Sequence, residues 1–408
     1  MLINFTVGNF RSFKEKRTLS MEAANIKEFA ESLIAAPNGA SLLPIAALYG
    51  ANSSGKSNFL DGIMVFADMI RRSNSMSSAD NINVTPFLLA DNEDVFETPS
   101  FFEAEVITIE GNSYRYGFSA TTKSIINEWL YKQTKTKETC LFLRENDSIG
   151  VTKSFPEGKG LEERTRNNAL FLSVCDSFNG NIAKELSKEF SKYAVVSAAD
   201  HEQLYSIADP IMHRDLNAFS DLMNGIGRIL HNMDLGFTRF EIPKEEEVAK
   251  IVKAFTFHNR YNSKGEIIGE ARLRMKQDES EGTNKLFDIM AMIIAGISAG
   301  AILVVDELDC KLHPILTAYI INMFNDPKLN TGHGQLIFAT HDSNLLSAKC
   351  LRRDEVWFVE KDKQEASDLY SLVEFKDADG VKVRNDRSFE KDYIKGRYGA
   401  IPYVNYNW

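Results

Sequence analysis

Gly50-Ala51-Asn52-Ser53-Ser54-Gly55-Lys56-Ser57 fills every position of the pattern G-x-x-x-x-G-K-[ST]. Residues 43–49 before it form an apolar run that suits a buried strand. Residues 57–70 after it place Phe59, Leu60, Ile63, Met64, Phe66 and Ile70 at a helical period. A strand that enters a glycine loop and leaves as a helix is the setting that gives this motif physical content. Glycines let the backbone turn tightly, so successive N–H groups and the helix N-terminus face the same phosphates. Lys56 adds a point charge for the β- and γ-phosphates, and the Ser57 hydroxyl is placed to ligate Mg²⁺. The expectation is a nucleoside triphosphate site built by Gly50, Asn52, Ser53, Ser54, Gly55, Lys56 and Ser57.

Composition sets the frame around that loop. The chain has 408 residues, with 47 Lys+Arg against 57 Asp+Glu and a formal net charge of −10. At about 150 residues per domain, this length suggests two or three domains. A hydrophobic share of 44% and a charged share of 25% exclude a disordered tail protein, a collagen-like chain and a small disulfide scaffold. The acidic balance argues against coating nucleic acid by bulk charge, while leaving room for a local basic groove. Cys140, Cys175, Cys310 and Cys350 lie far apart with no Cys-x-x-Cys, which reads as reduced thiols in a cytoplasm. Residues 289–305 carry no charge, but Ser298-Ala299-Gly300 interrupts them and Asp288 and Asp306 flank them. They read as a buried helix, a tight turn and a buried strand, with no membrane span. Met1-Leu2-Ile3-Asn4 shows no basic-then-apolar signal, so a cytoplasmic location is expected.

Strand patterning covers 2–13, with 18–21 as its partner, and returns at 101–109, 113–119 and 125–132. Glu110-Gly111-Asn112 reads as a hairpin turn. Helical patterning dominates 161–233, in runs at 168–178, 182–190 and 212–230. Strands are expected again at 237–242, 253–261 and 272–275, before a helix that starts near Ser280. Residues 301–305 then read as a buried strand that ends in Asp306-Glu307, beside the phosphate loop. Asp306 is placed to hold Mg²⁺ through water, and Glu307 to polarise an attacking water. Upstream, Glu279-Ser280-Glu281-Gly282-Thr283 stands immediately before a helix. Its hydroxyl and N–H groups either bind an anion or simply cap the helix, and the residues alone favour the cap.

The order of these motifs moves the reading. Phosphate loop, Ser280-Glu281-Gly282-Thr283, Asp306-Glu307, Asp309 with His313-Pro314, then His341 resembles an ABC-type ATPase head of the SMC, RecF and OLD-like branch. The resemblance implies an α/β P-loop NTPase fold with a mainly helical insertion between two lobes. The expected division is 1–160 for the lobe with the phosphate loop, 161–235 for the insertion, and 236–408 for the lobe with signature, second carboxylate strand and switch histidine. In such heads, His341 after Ile337-Phe338-Ala339-Thr340 lies near the γ-phosphate. Arg11, in Asn9-Phe10-Arg11-Ser12-Phe13, either reaches the phosphates or is a solvated strand-edge arginine. Ser280, Glu281, Gly282 and Thr283 then act in trans, completing a second chain's site.

The loop with Asn58, the 279–283 signature and the tail Phe389-Glu390-Lys391-Asp392-Tyr393 with Gly396-Arg397-Tyr398-Gly399-Ala400-Ile401-Pro402 look like AAA-type ATPases of bacterial abortive-infection and phage-defence operons. RloA, AbiL-type ATPases and the PARIS ATPase belong to that group. This resemblance implies ATP hydrolysis with Mg²⁺, a homodimer or higher homo-oligomer through ATP-sandwiched heads, and control of a separate effector that is RloB-like or contains TOPRIM. The tail is expected to dock a partner or to close the sheet edge. Two departures stand out. The glutamine loop of such heads has two candidates, Gln133 and Gln203, and Glu281 and Thr283 stand where transporters have Gly and Gln.

The alternatives are a RecF/SMC-like DNA-repair ATPase, which needs a basic DNA path, and a P-loop kinase, which needs an acceptor pocket and no trans signature. The seven histidines form no His-x-x-x-His pair, and no Gly-x-Ser-x-Gly elbow is present. About 65 residues follow His341, fewer than a nuclease domain of ordinary size. Any nuclease is therefore expected on another chain.

Overall fold

The computed structural model describes residues 1–91, 94–197, 236–241, 255–310, 312–347, 350–377, 380, 382–385 and 387–402. The helix expected at 212–230 and Gln203 lie outside them. The chain opens with β1 (Leu2–Gly8) and β2 (Arg17–Ser20), then a short pair, β3 (Ile34–Ala35) and β4 (Ser41–Leu42). Next come β5 (Ile45–Tyr49), which enters the phosphate loop, and α1 (Lys56–Arg72), which leaves it. A meander follows: β6 (Ser100–Ile107), β7 (Ser113–Ala120), β8 (Ile125–Gln133), β9 (Glu138–Glu145) and β10 (Ser148–Val151). With β1 and β2 these strands make an antiparallel sheet in the order β10-β9-β8-β7-β6-β1-β2. Its inner face alternates as a half-buried sheet must, with Phe102, Ala104 and Val106 inward on β6. That face meets the apolar stripe of α1, where Phe5 packs edge-on to Phe59 and Phe66 at 5.8 and 5.6 Å.

Two short helices, α2 (Phe171–Ser177) and α3 (Asn181–Phe190), lead into β11 (Tyr193–Ser197). This strand was not expected within the helical stretch. Its five residues pair in parallel with the second carboxylate strand, a contact across more than 100 positions that no local period announces. A separate antiparallel sheet holds β12 (Arg239–Glu241), β13 (Phe255–Tyr261) and β14 (Ile267–Arg274). One helical turn, α4 (Met275–Asp278), then connects to α5 (Glu281–Ala299). Gly300 ends α5 at φ 61, where a Cβ would meet the Gly332 carbonyl oxygen at 2.4 Å. The chain then turns into β15 (Ile302–Asp306).

The remaining elements are α6 (Pro314–Asn325), β16 (Gln335–Ala339), β17 (Val356–Lys361), β18 (Ser367–Ser371) and α7 (Phe389–Ile394). The second large sheet runs β11-β15-β16-β5-β17-β18, parallel except for the final hairpin pair. Its central strands are near-continuous apolar runs because both faces are covered. Ala46, Leu48, Ile302, Val304 and Ile337 join the core that contains α1, while Ala47, Leu303, Val305 and Phe338 join the one that contains α5 and α6. Helix α1 thus lies between the two large sheets. No helix among the described residues is long and apolar enough to cross a membrane.

Of the two expectations for the tail, the fold supports closure of the sheet edge. Tyr398 is only 1% exposed, its ring 5.5 Å from Phe358 and 5.4 Å from Phe375. Tyr370 donates to its carbonyl at 2.6 Å, and the Ala400 N–H donates to Glu360 at 2.9 Å. Aromatic burial takes these side chains inward, so this segment closes the edge of the sheet over β17 and β18.

Candidate functional site

The C-terminal ends of the parallel strands share one edge, and the loops leaving β5, β15 and β16 meet there. Gly55 caps α1 at φ 114, a backbone region closed to L side chains. Gly50 is packed so closely that a Cβ would meet the Val359 carbonyl oxygen at 2.3 Å. Ser53 takes a left-handed φ of 64, while Asn52 and Ser53 remain exposed on the rim. Lys56 is buried, and its Nζ donates to the carbonyls of Gly50 and Ala51 at 2.9 and 3.0 Å. Burial brings its pKa down to about 8, against the opposing pull of Asp306, Asp309 and Glu307.

Because β16 lies between β5 and β15, His341 leaves its strand between the loop and the carboxylates. The Leu308 N–H donates to the Ala339 carbonyl at 3.2 Å, and the Thr340 N–H to that of Leu48 at 3.1 Å, stitching the three loops together. Glu307 is exposed and held at φ 54, an unfavourable conformation for a glutamate. Partial burial and then Lys56 hold the His341 pKa below its ordinary value, while Asp309, Glu307 and Asp306 act the other way. The imidazole is therefore biased toward its neutral form. One oxygen of Asp309 and the Ser54 hydroxyl are buried without a hydrogen-bond partner. Such a cluster suits a polyanion that brings its own cation.

Ser57 is exposed in the first turn of α1, and Asp306 is half-buried at the end of β15. Hydroxyl and carboxylate are hard oxygen donors that fit Mg²⁺. Among the described residues no three His, Cys, Asp or Glu side chains form a metal cage. Mg²⁺ bound largely through phosphate oxygens and water does not require one.

Sequence reasoning missed Asp61, on α1. Burial raises its carboxyl pKa, Arg11 opposes that, and Asp306 adds to it. The Arg11 guanidinium pairs with Asp61 and approaches Asn58 Oδ1 at 3.5 Å. The spacing Asn58-x-x-Asp61 on one helix face was the available signal.

The signature residues stand on α5, which runs back from the start of β15 toward the same edge. Ser280 caps the helix, accepting from the Thr283 N–H at 3.1 Å, with the Thr283 hydroxyl at 2.8 Å. Ser280 and Glu281 are exposed, and Gly282 lies in the first turn. One turn on, Lys285 donates to the Cys310 carbonyl, tying the helix start to the carboxylate loop. Glu279 points inward instead, accepting from Thr256 and facing His258 Nε2 at 2.7 Å. His313 caps α6 by accepting from the Ile315 N–H at 3.3 Å. Gln133, at the end of β8, donates to Glu138 at 3.3 Å.

Residues 45–347 match the family model described as "AAA domain, putative AbiEii toxin, Type IV TA system". Among solved structures, the chain is similar to the recombination mediator protein RecF-ATP in the RecFOR pathway. The identity is 13% and the TM-score 0.38, covering 90% of this chain and 97% of that one. A second structure, of RecF-ATPrS in the same pathway, gives 14% identity and a TM-score of 0.32, covering 90% and 98%. No curated protein matches the sequence.

Proposed function

The chain belongs to this AAA-domain family and is an ATP-binding, ATP-hydrolysing P-loop ATPase, and from that premise we propose that it is the sensor and switch subunit of a bacterial anti-phage, abortive-infection system. In this reading Lys56 and the 50–57 loop hold the triphosphate, Ser57 and Asp306 hold Mg²⁺, Glu307 orients the attacking water, and His341 faces the γ-phosphate. Ser280 and Gly282 of a second copy close the site, so the working unit is a homodimer or a higher homo-oligomer. The ATP state then sets the affinity for a separate effector, which requires that the effector prefer one state over the other.

One observation carries most of the weight. The loop, the carboxylates and the imidazole gather around one another in a single chain, while the signature turn is exposed with its hydroxyl engaged only locally. A family described by a toxin and a Type IV TA system supports a partner that this ATPase controls.

The test is co-expression with the neighbouring open reading frame, followed by pull-down with parental chain, Lys56→Ala and Glu307→Gln. The expected result is a co-purifying partner whose retention differs between the nucleotide-poor and ATP-trapped variants. A chain that co-purifies with nothing and protects cells alone would sink the effector reading. ATPase activity stimulated by DNA, with no protein partner, would favour the DNA-repair alternative.

A further inference from the structure

Beneath the phosphate loop lies a chain of side chains from three distant segments. Ser367, the first residue of β18, and Ser12, in the turn after β1, are both buried. The Ser367 Oγ is 2.6 Å from the Ser54 carbonyl oxygen and 2.7 Å from the Ser12 Oγ. The Ser12 Oγ also receives Asn58 Nδ2 at 2.8 Å. Asn58 turns its Oδ1 toward Arg11, which leaves its amide N–H for Ser12. A hydroxyl has one proton to give, an amide nitrogen only donates and a carbonyl only accepts. Asn58 therefore donates to Ser12, and Ser367 has two acceptors in reach, the Ser12 Oγ and the Ser54 carbonyl, of which the carbonyl can be served only by Ser367.

That last bond orients the Ser54–Gly55 peptide. A trans peptide points its C=O and N–H in opposite directions. The Ser367 side of the loop is filled: a Cβ on Gly55 would meet the Ser367 Oγ at 2.3 Å and the Ser12 Oγ at 2.7 Å. With the carbonyl held there, the Gly55 N–H faces the open side, where a helix N-terminus can receive an anion. Glycine at φ 114 has no side chain to bias that peptide, so the orientation must be imposed from outside.

We propose that Ser367 is a positioning residue of the ATPase, fixing the Ser54–Gly55 peptide so that its N–H serves the phosphates. This rests on the reading of 50–57 as the triphosphate cradle. The full chain and its variants are titrated with a fluorescent ATP analogue and assayed for KM and kcat. Ser367→Ala is expected to weaken ATP affinity and raise KM roughly 3- to 10-fold, the loss of one hydrogen bond, with kcat nearly unchanged. Ser12→Ala removes a buried hydroxyl from the same chain but leaves the last bond in place, so its KM is expected to stay near the parental value. Equal KM changes in the two variants would show a merely structural role and overturn the proposal. So would parental KM in Ser367→Ala when Lys56→Ala loses binding. If Lys56→Ala also binds ATP normally, the reading of the loop itself fails. Should Ser367→Ala not fold, Ser367→Cys keeps the shape with a weak donor, and a raised KM is again expected, while a parental KM overturns the proposal.

Discussion

Two corners at one edge of the parallel sheet handle their polar groups in opposite ways. Around Lys56 the chain crowds Asp306, Glu307 and Asp309, and leaves one Asp309 oxygen and the Ser54 hydroxyl unsatisfied. Around Ser280 the cap hydroxyl is engaged by Thr283, and Ser280 and Glu281 lie at the surface. Unsatisfied buried groups cost stability, commonly about 1–3 kcal/mol each, and persist where a ligand repays them. An exposed cap whose hydroxyl is satisfied locally stays open to a partner that reaches it. The first corner suits a ligand that sits within one chain, and in the proposed reading the second meets a ligand held by another copy.

The largest expected effect tests that division of labour. Gly282→Asp adds an acid in the first turn of α5, where the helix dipole favours it, so folding is preserved. It also sets a negative charge where a second chain's γ-phosphate is proposed to lie. ATP binding is expected to remain while hydrolysis falls about 100-fold or more, since phosphoryl transfer depends on charge placement. Mixing Gly282→Asp with inactive Lys56→Ala chains should restore part of the activity, because one site of a mixed dimer combines both intact halves. Failure to complement, with each variant still forming dimers, would place the whole site on one chain.

The two corners also differed in how far the sequence revealed them. Lys56, Asp306, Glu307, Asp309 and His341 could be singled out because each follows an apolar strand, and parallel strands deliver their ends to one edge. The contact of Ser367 beneath the loop was invisible. Ser12 and Ser367 are 355 positions apart, Ser367 belongs to no motif, and only the docking of β18 beside the N-terminal turn joins them. Strand β11 was hidden for the same reason, since its partner lies beyond the helical stretch. The tail stayed open between two readings because tyrosine, arginine and glycine suit an interface and a buried sheet edge equally, and burial of Tyr398 favours the sheet edge.

A smaller effect sharpens the first corner through pH. Lys56 without nucleotide has its pKa lowered to about 8, chiefly by burial. A bound polyphosphate favours the ammonium and raises that value again. Binding therefore takes up a proton above pH 8, and affinity should fall as pH rises, by up to about ten-fold per pH unit. Below pH 7 the lysine is charged in both states and this dependence vanishes. Calorimetric titration at pH 8.5 in two buffers of different ionisation heat measures the uptake, and Lys56→Arg should abolish it. A flat affinity between pH 7 and pH 9.5 would show that Lys56 does not carry the pH dependence.

Arg11 is the smallest case and the one where the two corners' logic competes. The sequence leaves it either on the phosphates or at a solvated strand edge, and the structure pairs it with Asp61 and turns it toward Asn58. Both partners are partly exposed, so the ion pair contributes about 0–1 kcal/mol. Its removal also frees an Asp61 carboxylate close enough to Asp306 to be felt by it, and an added negative charge there repels a triphosphate. Arg11→Ala should therefore weaken ATP binding only about 2- to 5-fold, and Asp61→Asn in the same chain should recover most of the loss. A double variant as weak as Arg11→Ala alone would mean that the guanidinium leaves Asp61 and contacts the phosphates directly. The double-mutant cycle on ATP affinity distinguishes these outcomes, because an arginine acting only through Asp61 has nothing left to lose once that carboxylate is neutral.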